Sequence, residues 1–375
     1  MRQFAEHQLE DLAFGAAVLG TGGGGNPYVG MLLAREVIRE HGPLTVVDPE
    51  EVPDDALVVP AAMMGAPTIM VEKVPAGGEI VTAFRALEEY LGRRITHTVP
   101  AEAGGLNSIT PFTLAAQVGI PVVDADMMGR AFPELQMCLP SLYGISATPM
   151  AMADEKGNSV VINTISNRWT ERIARSVTID MGCSAMIALY AMTGAQLKEM
   201  TIPRTLQLAE DIGGAAREAK EAHGDVVAAI CNLLGGFRLF DGKIVDIARR
   251  TDAGFAKAEA RIEGTGANAG SVLSLDVQNE HLLATIDGEV AASVPDLIVM
   301  LDSESGDPIT TEEIRYGFRV TILAAPCDPR WRTGDGLELV GPRYFGYDID
   351  YVPIEERRAT MARRASRSRA AVTGR

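Results

Sequence analysis

Gly20 to Tyr28 reads GTGGGGNPY, a run of consecutive glycines (Gly22, Gly23, Gly24 and Gly25) between two amphipathic stretches. Glycine loses the most backbone entropy on ordering. Such a run belongs where backbone passes close to a neighbour or takes several positive φ values in succession. Upstream, Leu9, Leu12, Ala13, Ala16 and Leu19 recur at three- and four-residue intervals and predict a helix over 7–19. Downstream, Asn26 is placed to cap, and Pro27 to open, a helix over 27–41. A dinucleotide fingerprint has a strand before its glycines; here a helix precedes them, and no lysine is placed as in a P-loop. The run therefore predicts a loop feeding a helix N-terminus, whose free N–H groups and dipole favour a carboxylate, a phosphate or a polarised carbonyl. The same letters also suit a tight helix–helix turn with no ligand.

Outward from this loop, helix and strand alternate as far as about 165. Short apolar strands are predicted at 44–48, 56–63, 95–100 and 121–124, and helices at 79–91 and 108–118. Strands apolar on both faces, alternating with helices, indicate an α/β domain with a largely parallel sheet covered on both sides. A hairpin over 147–164 closes it. Residues 166–235 read as a helical connection, with the long stretch 203–234 broken near Gly213 and Gly214. From Gly236 the period shortens. Many short strands predict a β-rich domain over 236–326, a barrel or a sandwich. The aromatic segment 327–354 is expected to dock back on the first domain. The tail 355–375 is basic, lacks hydrophobic periodicity and is expected to be disordered.

The chain has 375 residues and a formal net charge of −16, and the arginines after Glu356 leave the remainder near −23. That balance argues against a nucleic-acid partner for the folded body. No run of apolar residues is long enough for a membrane span, and no signal-peptide pattern opens the chain, so a cytoplasmic protein is expected. The cysteines Cys138, Cys183, Cys231 and Cys327 are widely spaced and no His pair has ligand spacing. Neither a metal nor a cofactor is expected.

In an open α/β sheet, ligands bind beyond the carboxyl ends of the strands. The third strand releases Glu102 and Asn107 there, and the fourth releases Asp124, Asp126 and Arg130. Converging carboxylates push their pKa values apart and supply a general acid and a general base. Asn107 and Arg130 are candidates to hold a carboxylate or an imide-like ring, together with Gly22 to Gly25 and Asn26. The structural alternative is that Glu102 and Asp124 cap helices and Asp126 pairs with Arg130. Cys183, between small residues, is a candidate nucleophile or an inert core thiol.

Four stretches together, GTGGGGNPY, EAGGLNS (102–108), DADMMGRAFPELQM (124–137) and GPRYFGYDIDY (341–351), resemble the family catalogued as domain of unknown function 917, which is associated with hydantoin utilisation and S-methyl thiohydantoin desulfurases. The resemblance runs from about Glu6 to Pro353. It implies an N-terminal α/β domain and a β-rich C-terminal domain. It also implies hydrolytic loss of methanethiol from a 2-methylthio-imidazolone ring, giving a hydantoin. The implied partner is a small cyclic imide or thiohydantoin, and a homo-oligomer is expected. In that chemistry Asp124 or Asp126 would act as acid and Glu102 as base, or Cys183 as a nucleophile. Two other functions stay open: a non-catalytic protein that binds a cyclic imide, and a ring-opening amidohydrolase using a carboxylate-bound divalent metal.

Overall fold

The structure is a computed structural model that describes residues 1–65, 69, 73, 76–252 and 255–360. The chain begins with β1 (Arg2–Phe4), α1 (Leu9–Leu19), α2 (Pro27–His41), β2 (Leu44–Val47), β3 (Leu57–Gly65), α3 (Glu79–Leu91), β4 (His97–Pro100) and α4 (Thr110–Val118). It continues with β5 (Val122–Val123), β6 (Ala125–Asp126), α5 (Leu139–Leu142), β7 (Met150–Ala153) and β8 (Ser159–Ile162). Next come α6 (Asn167–Asp180), β9 (Ser184–Ala188), β10 (Met192–Thr193), α7 (Gly194–Met200), β11 (Ile202–Pro203), α8 (Thr205–Glu221) and α9 (Val226–Leu234). The last third holds β12 (Phe237–Asp252), β13 (Phe255–Gly264), β14 (Val272–Gln278), β15 (Glu280–Ile286), β16 (Glu289–Ser293), β17 (Leu297–Asp302), β18 (Arg319–Ala325) and α10 (Gly334–Val340).

The first sheet runs β1-β2-β5-β4-β3-β9-β7-β8, with β10 also pairing β3. Its core β2-β5-β4-β3 is parallel, and every other pairing is antiparallel. The sheet is thus mixed, with a parallel centre. Strand β3 shows why both faces carry helices. Alternate residues point to opposite faces of a strand. Leu57, Val59, Ala61 and Met63 join the core beneath α3, with Ile80, Phe84 and Leu87. Val58, Ala62 and Met64 join the larger core, to which α6 contributes Ala174 and α1 and α8 contribute Leu12 and Leu206. Fully burying a side chain such as Phe84 contributes about 1.5–3 kcal/mol.

The second sheet, β16-β15-β14-β13-β12-β18-β17, is antiparallel throughout and curls as a half-barrel around Phe240, Ile262, Leu275 and Ile322. Bulges in β12, between Arg238 and Phe240 and between Ile244 and Asp246, bend it. The Asp241-Gly242 pair, which reads as a turn, lies inside this continuous strand. Segment 166–235 supplies more than helices. Its β9 pairs with both β3 and β7 in the first sheet, and β11 pairs with β6. Residues 354–360 are helical, and 361–375 lie outside the described residues.

Helix α2 spans 27–41 with Asn26 as its cap, the Asn26 side chain accepting from Tyr28 N at 2.8 Å. The break expected near Gly213 and Gly214 lies elsewhere. Helix α8 runs through both glycines and ends at Glu221, and Asp225 caps α9. The glycines have a packing reason instead. A Cβ on Gly15 of α1 would overlap the backbone of Ala209 of α8, and one on Gly213 would overlap the backbone of Asp11. The two helices cross with their backbones nearly touching.

This crossing makes a paired prediction. Gly15→Ala has no room and should cost at least about 2 kcal/mol. Gly214→Ala, on the same face of the fold, meets nothing nearer than 3.7 Å and should gain up to about 1 kcal/mol from helix propensity. Urea unfolding of both variants checks the signs; two equal effects would show that α1 and α8 can separate freely.

Candidate functional site

The glycine loop leaves α1 with Thr21, Gly22, Gly24 and Gly25 at positive φ values of 51°, 91°, 73° and 78°. Each glycine admits a different neighbour. A Cβ on Gly22 would lie 2.5 Å from Nε2 of His281, one on Gly24 would lie 2.5 Å from Cα of Gly104, and one on Gly23 would overlap the Glu280 carboxyl. The carbonyls of the loop are bonded to both halves of the chain. Leu106 N donates to Gly24 O, His281 N to Thr21 O and Thr311 N to Gly22 O, each at 2.8 Å. The loop is therefore the seam where the first sheet meets strand β15.

Beside this seam lies a cavity of about 670 Å³, its open mouth included. Glu102, Asn107, Asn279 and Glu280 contribute buried polar groups to it, with Gly24 and Gly25 also in its lining. Asn107 is pinned to β3. Its Oδ1 accepts from Met63 N at 2.8 Å and its Nδ2 donates to Met63 O at 3.2 Å. The same Nδ2 donates to Glu102 Oε1 at 2.7 Å, which fixes the Glu102 carboxyl. Burial raises the Glu102 pKa to about 7, against the pull of the Asn107 hydrogen bond. Glu280 lies across the seam on β15, and burial, with the nearby Glu102 charge, holds its pKa well above the usual carboxylate range. Its Oε2 is buried and meets no donor among the described residues.

The other sequence-predicted residues fall into three groups. Asp126 and Arg130 stand behind the cavity wall. Asp126 Oδ2 accepts from Met128 N at 2.8 Å and Gly129 N at 2.7 Å, shaping the turn that brings Met127 and Met128 to the cavity. Burial raises its pKa to about 7. Arg130 is buried and bonded to protein oxygens at Nε, Nη1 and Nη2, including Thr21 Oγ1 at 2.6 Å, His281 O at 3.1 Å and Asp296 O at 2.7 Å. It does not pair with Asp126. Asp124, by contrast, serves α8: its Oδ1 accepts from Leu206 N at 3.0 Å and Gln207 N at 3.2 Å, and Arg2 stands 3.5 Å from Oδ2. Asn26 caps α2 and donates to Glu313 Oε1 at 2.8 Å, on a separate surface groove. Gly22 and Gly23 admit β15 without lining the cavity, and Cys183, at φ 65° between α6 and β9, does not line it either.

Sequence reasoning missed Glu280. It sits in Gln278-Asn279-Glu280, which reads as punctuation between two strands. The cue was a carboxylate directly before His281 at the start of an apolar strand. It also missed Tyr190, a buried cavity residue held at φ 48° with its hydroxyl 2.7 Å from Ser141 Oγ. Backbone held in such a region costs of order 1–3 kcal/mol and collects at functional sites. Among the described residues no group of three or more His, Cys, Asp or Glu is placed to hold a metal ion, and no helix is long and apolar enough to cross a membrane.

The profile of the S-Me-THD-like N-terminal domain matches residues 7–164, and that of the S-Me-THD-like C-terminal domain matches residues 165–354. The chain belongs to the S-Me-THD-like family. Glu102 comes from the first S-Me-THD-like domain and Glu280 from the second, so the cavity is built by both. No curated protein matches the chain. A crystal structure of a protein from Chromobacterium violaceum is similar, at 23% identity and TM-score 0.78, covering 94% of this chain and all of that one. That likeness shows a shared fold.

The burial of Glu102 has a consequence for stability. The unfolded chain releases this proton near 4.5 and the folded chain near 7. Stability is therefore fully present below about 4.5 and falls as pH rises towards 7, by about 3 kcal/mol for this group alone. Glu102→Gln keeps an oxygen for Asn107 and removes the titration. Its melting temperature should exceed that of the parent at pH 8 and match it at pH 4.5; a constant offset at both values would contradict the assigned burial effect.

Proposed function

We propose that the protein is a hydrolase that removes methanethiol from an S-methyl thiohydantoin and releases a hydantoin. One observation carries the reading: the Glu280 carboxyl, whose buried Oε2 meets no donor among the described residues, shares a cavity with Glu102. One acid held protonated and one titrating near neutrality are what general acid and general base catalysis requires. The family membership supports a hydantoin-related substrate class.

The ring carbon bearing sulfur is amidine-like and becomes electrophilic once its double-bonded nitrogen is protonated. Glu280 gives its proton to that nitrogen while Glu102, as carboxylate, takes a proton from the attacking water. The resulting tetrahedral carbon carries a hydroxyl and the methylthio group. Its hydroxyl proton returns to Glu280, the carbonyl forms and the C–S bond breaks. The departing sulfur takes the proton held by Glu102. Water enters, methanethiol leaves, and both carboxyls recover their starting state. The apolar residues in the lining lower the local dielectric, which strengthens each of these charge interactions.

The test is thiol release from S-methyl thiohydantoins by the purified chain. Glu102→Gln and Glu280→Gln should each lower kcat by about 10²–10⁴-fold. Cys183→Ser should turn over like the parent. Activity should rise with pH through about 7, as Glu102 becomes a carboxylate, and fall at higher pH, as Glu280 loses its proton. Wild-type rates in both glutamine variants would sink the acid–base reading, and an inactive Cys183→Ser would favour a covalent route.

A further inference from the structure

The proposed reaction leaves the ring substituent unspecified, and the inference here rests on that reaction. Much of the cavity lining is apolar. Met64 of β3 and Ile187 of β9 share one face of the first sheet, and Met128 and Phe132 lie on the segment that follows β6. All four are buried, none above 6% exposed. Methionine is unbranched and polarisable, so a methionine-rich wall adapts to apolar groups of different shape.

The charged groups near the cavity are already engaged. The Arg130 donors go to backbone carbonyls and Thr21. Arg175, at the mouth, pairs with Glu171, donates to Pro133 O at 3.1 Å and stacks over Phe255 at 4.1 Å. Glu134, also at the mouth, accepts from Tyr344 at 2.8 Å. A carboxylate on the substrate would lose its water next to Glu102 and Glu280. An ammonium would either lie desolvated on the methionine wall or pair with Glu102 and remove the base.

We propose that this chain acts on thiohydantoins whose ring carries an uncharged, apolar side chain seated on the wall formed by Met64, Met128, Phe132 and Ile187. Charged substituents are rejected by uncompensated desolvation, and apolar ones are accepted broadly.

The experiment uses the full chain and a series of S-methyl thiohydantoins that differ only in the ring substituent: isobutyl, benzyl, carboxymethyl and aminobutyl. Methanethiol release gives kcat/KM, and calorimetry gives the dissociation constants of the corresponding hydantoins. Isobutyl and benzyl should fall within about tenfold of each other and exceed both charged members by at least about 100-fold in each measurement. Met128→Ala should lower kcat/KM for the isobutyl member about tenfold, with little change for carboxymethyl. A charged member that binds as tightly as isobutyl overturns the inference, and so does a hydantoin series in which none binds. The expected binding order without methanethiol release sinks the reaction and leaves the inference standing. Turnover of every member at similar rates does the reverse.

Discussion

The guanidinium of Arg130 carries five N–H donors in a rigid fork, and they reach across the seam between the two domains. Nε donates to Ala131 O, Nη1 to the carbonyls of Pro295 and Asp296, and Nη2 to Thr21 and to His281 O. One side chain thus ties the segment after β6, the glycine loop, the start of β15 and the turn before β17. Its planar face completes the arrangement, with Cζ 4.9 Å from the centroid of the Phe132 ring. A buried charge is costly unless every donor is met. These bonds hold only when all four segments are in place, so the charge penalises any looser arrangement of the seam.

The same cation sets the electrostatics of the cavity. Burial lowers its own pKa to about 10, and the acids around it, Glu280 first, act in the opposite direction. Its charge stabilises carboxylates at Glu102 and Glu280, while desolvation opposes them and prevails at both. Because the Arg130 donors are tied to carbonyls and a hydroxyl, its help to these carboxyls is a field without a hydrogen bond. The balance holds the Glu280 carboxyl well above the usual carboxylate range and leaves Glu102 near its midpoint at physiological pH.

Most of the first domain was legible from periodicity and caps. The Asn26 cap, Pro27 and a helix over 27–41 follow from local chemistry, and so does α3 over 79–91. What depends on distant packing was not. Strand β9 did not stand out within the helical connection read over 166–235 because it is buried in the sheet between β3 and β7. Gly213 read as a breaker because its reason, the backbone of Asp11, lies far away in sequence. Glu280 was invisible as a site residue for the same cause: only the fold brings β15 against the glycine loop. The loop's glycines Gly22 and Gly23 make room for the protein's own His281 and Glu280.

Position at a strand's carboxyl end does not by itself make a carboxylate part of a site, and Asp124 and Glu102 show what does. Both follow strands of the parallel centre. Asp124 meets the first turn of α8, whose free N–H groups need an acceptor, and its oxygens go to Leu206, Gln207 and Arg2. Glu102 meets no helix start. Its oxygen is held by the amide of Asn107, and that amide is itself fixed by the Met63 backbone on β3. Helix N–H groups favour an anion, and at Asp124 they and Arg2 oppose the upward push of burial. At Glu102 the Asn107 amide orients the carboxyl, and burial outweighs both it and the Phe132 backbone to raise the pKa to about 7. Residues of nearly the same chemistry, separated by α4 and β5, thus serve a helix start in one case and a cavity in the other.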